Sequence, residues 1–187
     1  MKSHNSNSTA AKKGSRSNLG FSLIELLIVV AIILIIVAIA IPNLLRSRIA
    51  ANEASAVENV RTITTASVVY NTTYQNGYPP TLGTLGGATG VPATCDLSIL
   101  VETTLTAAPN RKSGYTFAYT GESGTIPVAA GGCSLPGFQG YLVTAVPISQ
   151  GVTGQRSFCS NEPAIIYFDI TGSAIASPVA CVALPPL

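Results

Sequence analysis

Residues 21–41 read FSLIELLIVVAIILIIVAIAI, a run whose single charged side chain is Glu25. Coiled as an α-helix it is about 31 Å long, the thickness of a bilayer's hydrocarbon core. Apolar side chains occupy every side, so the run reads as a membrane span and not as a surface helix with one wet face. The preceding segment, residues 1–20, is polar and rich in Ser and Asn, with Lys2, Lys12, Lys13 and Arg16 and no acid. It has no apolar core of its own, which excludes an ordinary secretory signal peptide, and nothing in it favours folding. Basic residues ahead of a span place the N-terminus in the cytoplasm and the remainder outside.

Pro42 follows the run and ends or kinks a helix in water. Yet the helical signal resumes in NLLRSRIAANEASAVENVRTITTASVVYNTTY, where Leu45, Ile49, Ala56, Val60, Ile63, Ser67, Tyr70 and Tyr74 recur at steps of three, four or seven. The expectation is one long helix from Phe21 to Tyr74, roughly 80 Å in extent, with a kink or loosening near Pro42. Gly77 and Pro79–Pro80 stop it.

Beyond residue 78 the composition turns to Gly, Pro, Thr, Val and Tyr. Strands are expected at 114–121 (GYTFAYTG), 140–147 (GYLVTAVP) and 165–172 (IIYFDITG), with a short helix from Cys95 to Leu105. The fold class is therefore α+β: a long N-terminal helix, half membrane-spanning and half amphipathic, packed on a small antiparallel sheet. The organisation is residues 1–20 as a leader, 21–42 as the apolar helix, 43–77 as its amphipathic half and 78–187 as a β-rich head.

Cysteine and charge usage narrow the function. Cys95, Cys133, Cys159 and Cys181 all follow the apolar run, without a C-x-x-C pair, and the single histidine is His4. That pattern argues for disulfides in an oxidising compartment over zinc. Four cysteines allow three pairings; short reach favours Cys159–Cys181 and Cys95–Cys133. Without residues 1–20, six basic residues face eight acidic ones, a side-chain charge of −2. No basic face for nucleic acid is then expected. Asp96 and Asp169 have no evident carboxylate partner, and no glycine-rich phosphate loop stands between a strand and a helix. No catalytic site, cofactor or metal is expected.

The stretch GFSLIELLIVVAIILIIVAIAIP resembles the N-terminal signature of type IV pilins and type II secretion pseudopilins. In that family a basic leader ends in Gly, a membrane-embedded aspartyl prepilin peptidase cuts behind it, and the same enzyme methylates the new N-terminal residue, usually Phe. A Glu stands fifth after the cut, and a Pro about twenty-two residues after it. Gly20, Phe21, Glu25 and Pro42 occupy those positions. The likeness is strong over these residues and loose along the helix to Tyr74.

The resemblance implies cleavage between Gly20 and Phe21, N-methylation of Phe21, and a Glu25 carboxylate paired with the Phe21 amine of a neighbouring subunit. The bland alternatives are an uncleaved anchor and a pair within one subunit, since residues four apart share a helix face. Pro42 is implied to loosen the helix on packing, against a simple kink at the membrane exit. The implied partners are prepilin peptidase, further copies of the chain, minor pilins and an inner-membrane assembly platform. The implied location is the bacterial inner membrane before assembly and a surface or periplasm-spanning filament after it. A Cys159–Cys181 loop is implied to be a variable contact surface. Tyr70, Tyr74 and Tyr78 are expected to pack under the sheet, although some slender pilins are discussed as electron conduits. Major secretion pseudopilins usually carry a D-P-W-G-like motif, which this Trp-free chain lacks. That favours a pilus subunit, with a pseudopilin of secretion or competence as the alternative and an anchored exported enzyme or binding protein as the third reading.

Overall fold

The computed structural model describes residues 20–88, 90–127 and 133–187, so the leader up to residue 19 lies outside the described residues. Two compact units are present, one ending at Ile41 and the other comprising Pro42–Leu187. Helix α1 runs from Leu23 to Tyr74 with Pro42 inside it. The periodicity beyond Pro42 is what lets a helix form there, because one stripe has a sheet to lie on. Ala56, Val60, Ile63, Ala66 and Tyr70 of that stripe are buried in the main core. Leu45 was expected on the stripe but is exposed, because the stripe meets the sheet only further along.

The helix ends through backbone geometry. Gln75 and Gly77 take positive φ values of 51° and 74°, and Tyr78 exchanges two backbone hydrogen bonds with Phe138, at 2.8 and 2.9 Å. A side chain at Gly77 would meet the Phe138 carbonyl at 2.5 Å, so only glycine admits this close pairing. A 3₁₀ turn at Leu82–Leu85 and a one-turn helix α2, Thr103–Thr106, follow. The helix expected from Cys95 to Leu105 is thus reduced to its last turn. Thr94 and Leu97 bond each other instead, and the Leu85 carbonyl takes the amides of Leu100 and Val101.

The sheet is an antiparallel meander in the order β1 (Arg111–Lys112), β2 (Tyr115–Ile126), β3 (Gly137–Pro147), β4 (Ser157–Asn161) and β5 (Ile166–Asp169). β4 was not expected. Its sequence, SFCSN, is short and largely polar, yet all five residues are buried, because the sheet is covered on both faces. Tyr141, Val143, Ala145 and Phe158 face α1. Leu142, Cys159 and Tyr167 face a second cluster with Ile175 and Cys181. The C-terminal segment, including α3 (Pro178–Val182), thus forms a third layer.

Two disulfides pin the periphery. Cys95–Cys133 has a Cα separation of 5.0 Å and Cys159–Cys181 one of 6.0 Å. The second ties the C-terminal layer to β4.

A half-buried ion pair, with the carboxylate inside and the guanidinium at the surface, locks α1 to the loop before β4. Glu53 is only 8% exposed. It accepts hydrogen bonds from the backbone amides of Gln155 and Arg156, at 2.9 and 3.1 Å, and from Arg156 Nε at 2.9 Å, with Arg156 Nη2 at 2.8 Å. The Arg156 guanidinium also lies over the Phe158 and Phe168 rings. Burial alone would raise the Glu53 pKa, but the Gln155 and Arg156 hydrogen bonds outweigh it and hold the carboxyl below its ordinary value.

Glu53→Gln is expected to destabilise the folded chain in detergent by about 1.5–3 kcal/mol at neutral pH, the worth of hydrogen bonds to a charged group. A depressed folded pKa stabilises above the unfolded value of 4.5 and loses that contribution as pH falls through the folded pKa. The gap between wild type and variant should therefore narrow below that value, in denaturant titrations run as a pH series. Paired Cys159→Ser and Cys181→Ser changes should cost roughly 3 kcal/mol, from the entropy of the opened loop, in the same assay.

Candidate functional site

The expected site residues fall at the start of α1. Gly20 and Phe21 lie in exposed, non-helical backbone, ahead of the first helical residue at Leu23. Gly20 has nothing within 4 Å of where a Cβ would stand.

Glu25 stands in the first helical turn. The Ser22 carbonyl accepts the Leu26 amide at 3.2 Å, so the helical ladder begins at Ser22. A carboxylate here faces the positive end of the helix dipole. Among the described residues, Glu25 takes part in none of the ion pairs; those are Arg61–Glu58, Lys112–Glu102 and Arg156–Glu53. An intact Gly20–Phe21 peptide offers it no amine, whereas cleavage would create one four residues away.

The remainder of this unit is apolar surface. The large hydrophobic side chains from Phe21 to Ile41 are between 39% and 81% exposed. The helix is long and apolar enough to cross a membrane, and its most hydrophobic window has no buried residue. Patches of this size do not persist on soluble monomers; they mark membrane or protein contacts. Pro42 opens the second unit and supplies no N–H for the Ala38 carbonyl one turn back.

Other expected residues play structural parts. Asp96 accepts the Ser134 amide at 2.9 Å beside the Cys95–Cys133 bridge, and hydrogen bonds from the Ser134 side chain first, then its amide, hold the carboxyl below the ordinary range. Asp169 accepts from the Thr171 amide and hydroxyl. Tyr70 is buried against Tyr74, with ring centres 5.0 Å apart, and Tyr78 packs on Tyr141 at 4.8 Å. Burial raises the pKa of Tyr115, Tyr119 and Tyr141 well above the ordinary phenol value. The tyrosines beneath the sheet are core residues with their protons kept on. Glu53 and Arg156, by contrast, were not anticipated. The signal was an acid on the apolar stripe between Ile49 and Ala56.

Comparison with known proteins supports the same region. The family model described as the prokaryotic N-terminal methylation motif matches residues 15–41. No curated protein and no solved structure gives a match. The matched span includes Gly20, Phe21 and Glu25 and ends where the first unit ends.

The division at Ile41 generates a prediction. A chain beginning at Pro42 is expected to be monomeric in plain buffer, because its own core is complete. The chain from Phe21 should elute as a monomer only in detergent. Size-exclusion chromatography with light scattering checks both.

Proposed function

We propose that this chain, which carries the type IV pilin and pseudopilin signature, is a structural subunit of a pilus-like filament. The observation that carries the reading is the exposed apolar helix, with Glu25 as its one charged side chain, directly behind an accessible Gly20–Phe21 bond. In the bilayer, hydrocarbon covers that surface. Once drawn out of the membrane, the helix must meet water or other helices. Burying each Leu or Ile contributes about 1.5–3 kcal/mol relative to water, so a helix-packed filament core is the low-energy destination.

Cleavage and assembly are coupled through charge. Prepilin peptidase is the processing enzyme the motif implies. Its cut would expose the Phe21 amine, and methylation leaves that amine cationic. A carboxylate in hydrocarbon costs several kcal/mol unless it is paired or protonated. Glu25 and the amine of a neighbouring subunit would relieve each other, setting the axial register between adjacent helices. The hydrogen bond missing at Pro42 would let the two halves of α1 adjust on packing. The head would then form the outer surface, with the Cys159–Cys181 layer available for contacts.

The second reading, a pseudopilin of secretion or DNA uptake, shares all of this chemistry. The absence of a D-P-W-G-like motif favours the pilus subunit.

Glu25→Ala tests the assignment. Mass spectrometry of the exported variant should still find an N-terminus at Phe21 bearing a methyl group, while electron microscopy should find filaments absent or much shortened. Normal filaments from the variant would refute the assembly role. An intact 19–22 peptide in the exported wild-type protein would refute the processing step.

A further inference from the structure

Two shallow grooves flank α1 at the start of the second unit. One is lined by Arg46, Ile49, Arg156 and Ile170, the other by Leu45, Arg48, Asn52 and Val152. Each groove therefore pairs an arginine of α1 with an aliphatic side chain from a loop. Val152 and Ile170 are 55% and 69% exposed. Neither belongs to a core, yet both are held in place. Asn52 Nδ2 donates to the Thr153 carbonyl at 2.8 Å, Glu53 fixes Gln155 and Arg156, and Gln150 Nε2 donates to the Thr171 carbonyl, joining the two loops into one ledge.

Two positive charges on this ledge, those of Arg46 and Arg48, are in no ion pair among the described residues. Both residues are exposed. Residues 42–52 contain no acid. Glu53, which also lines the Arg46 groove, is paired with Arg156, and Asp169, next to Ile170, accepts hydrogen bonds from Thr171.

We propose that the ledge seats on the phospholipid surface before assembly. Arg46 and Arg48 hold the phosphates of anionic headgroups, and Val152 and Ile170 enter the boundary between headgroups and acyl chains. The proposal rests on residues 23–41 spanning the membrane. Three observations select lipid as the occupant. The arginines follow the last residue of the apolar run by five and seven positions, where a chain leaving hydrocarbon passes the phosphates. A guanidinium binds phosphate through paired N–H donors. Exposed aliphatics beside unpaired cations are the composition of interfacial membrane contacts. A second copy docking by the same face would instead oppose arginine to arginine. Extraction of the subunit into a filament must then break these contacts, so the anionic lipid content of the membrane regulates assembly.

The chain lacks Trp, so single tryptophans can report. The full chain is reconstituted in phosphatidylcholine vesicles with or without phosphatidylglycerol. Acyl chains are brominated near the headgroup to quench the ledge, or near the bilayer centre to quench the span. Val152→Trp and Ile170→Trp should be quenched roughly twofold more strongly when the anionic lipid is present, and the difference should vanish in high salt and on adding Arg46→Gln with Arg48→Gln. Leu34→Trp should be quenched in both lipids and be indifferent to those changes. Quenching of Leu34→Trp with no lipid dependence at the ledge would overturn the seating while leaving the span intact. Absence of quenching at Leu34→Trp would overturn the span and the seating together. Ledge quenching that follows the protein-to-lipid ratio instead of the anionic fraction would assign the face to a second copy and overturn the proposal.

Discussion

A helix that is apolar on every side has no stable place in water. Between Phe21 and Ile41 the chain presents such a helix, wholly unburied by its own fold. Two environments satisfy it: hydrocarbon, or the apolar sides of other helices. The second unit has its own core, its own disulfides and a closed sheet-and-helix arrangement, so it makes no demand on the first. On the proposed reading, the chain would pass from membrane to filament without refolding its head.

Within the head, the contacts that matter most hold α1 to the sheet. Val60, Ile63 and Tyr70 supply the apolar part, while Glu53 and Arg156 supply a polar lock at the end nearest the apolar run. Removing Arg156 would leave the Glu53 carboxylate buried without its cation, which costs more than the intact pair contributes. The same lock positions the loop that carries Val152, so a stabilising interaction and the proposed lipid contact share one piece of backbone. On the far side of the sheet, Cys159–Cys181 secures a layer with little apolar area of its own.

The elements legible in the sequence were those with strong period or strong composition. The run 21–41 announces itself by hydropathy, the stripe from Ala56 to Tyr70 by its 3.6 period, and β2, β3 and β5 by aromatic and β-branched residues. SFCSN escaped notice because a strand covered on both faces need not alternate, and Ser and Asn disguise its burial. The segment from Cys95 to Leu105 looked helical, but it spends its amides on the 3₁₀ turn. Glu53 carried no local signal of its role, because its partner stands 103 positions away. The start of α1 was legible for a different reason: the spacing of Gly20, Phe21, Glu25 and Pro42 is itself the signal, and the motif match covers that span without reaching the head.

The central claim is that processed chains pack their apolar helices together, with each Glu25 meeting the new amine of a neighbour. Helical reconstruction of the filament by electron cryomicroscopy addresses it directly. The account predicts residues 21–41 at the filament axis and each Glu25 carboxylate within salt-bridge reach, about 4 Å, of another chain's Phe21 nitrogen. Apolar helices on the filament surface, or each Glu25 paired with the amine of its own chain, would contradict it.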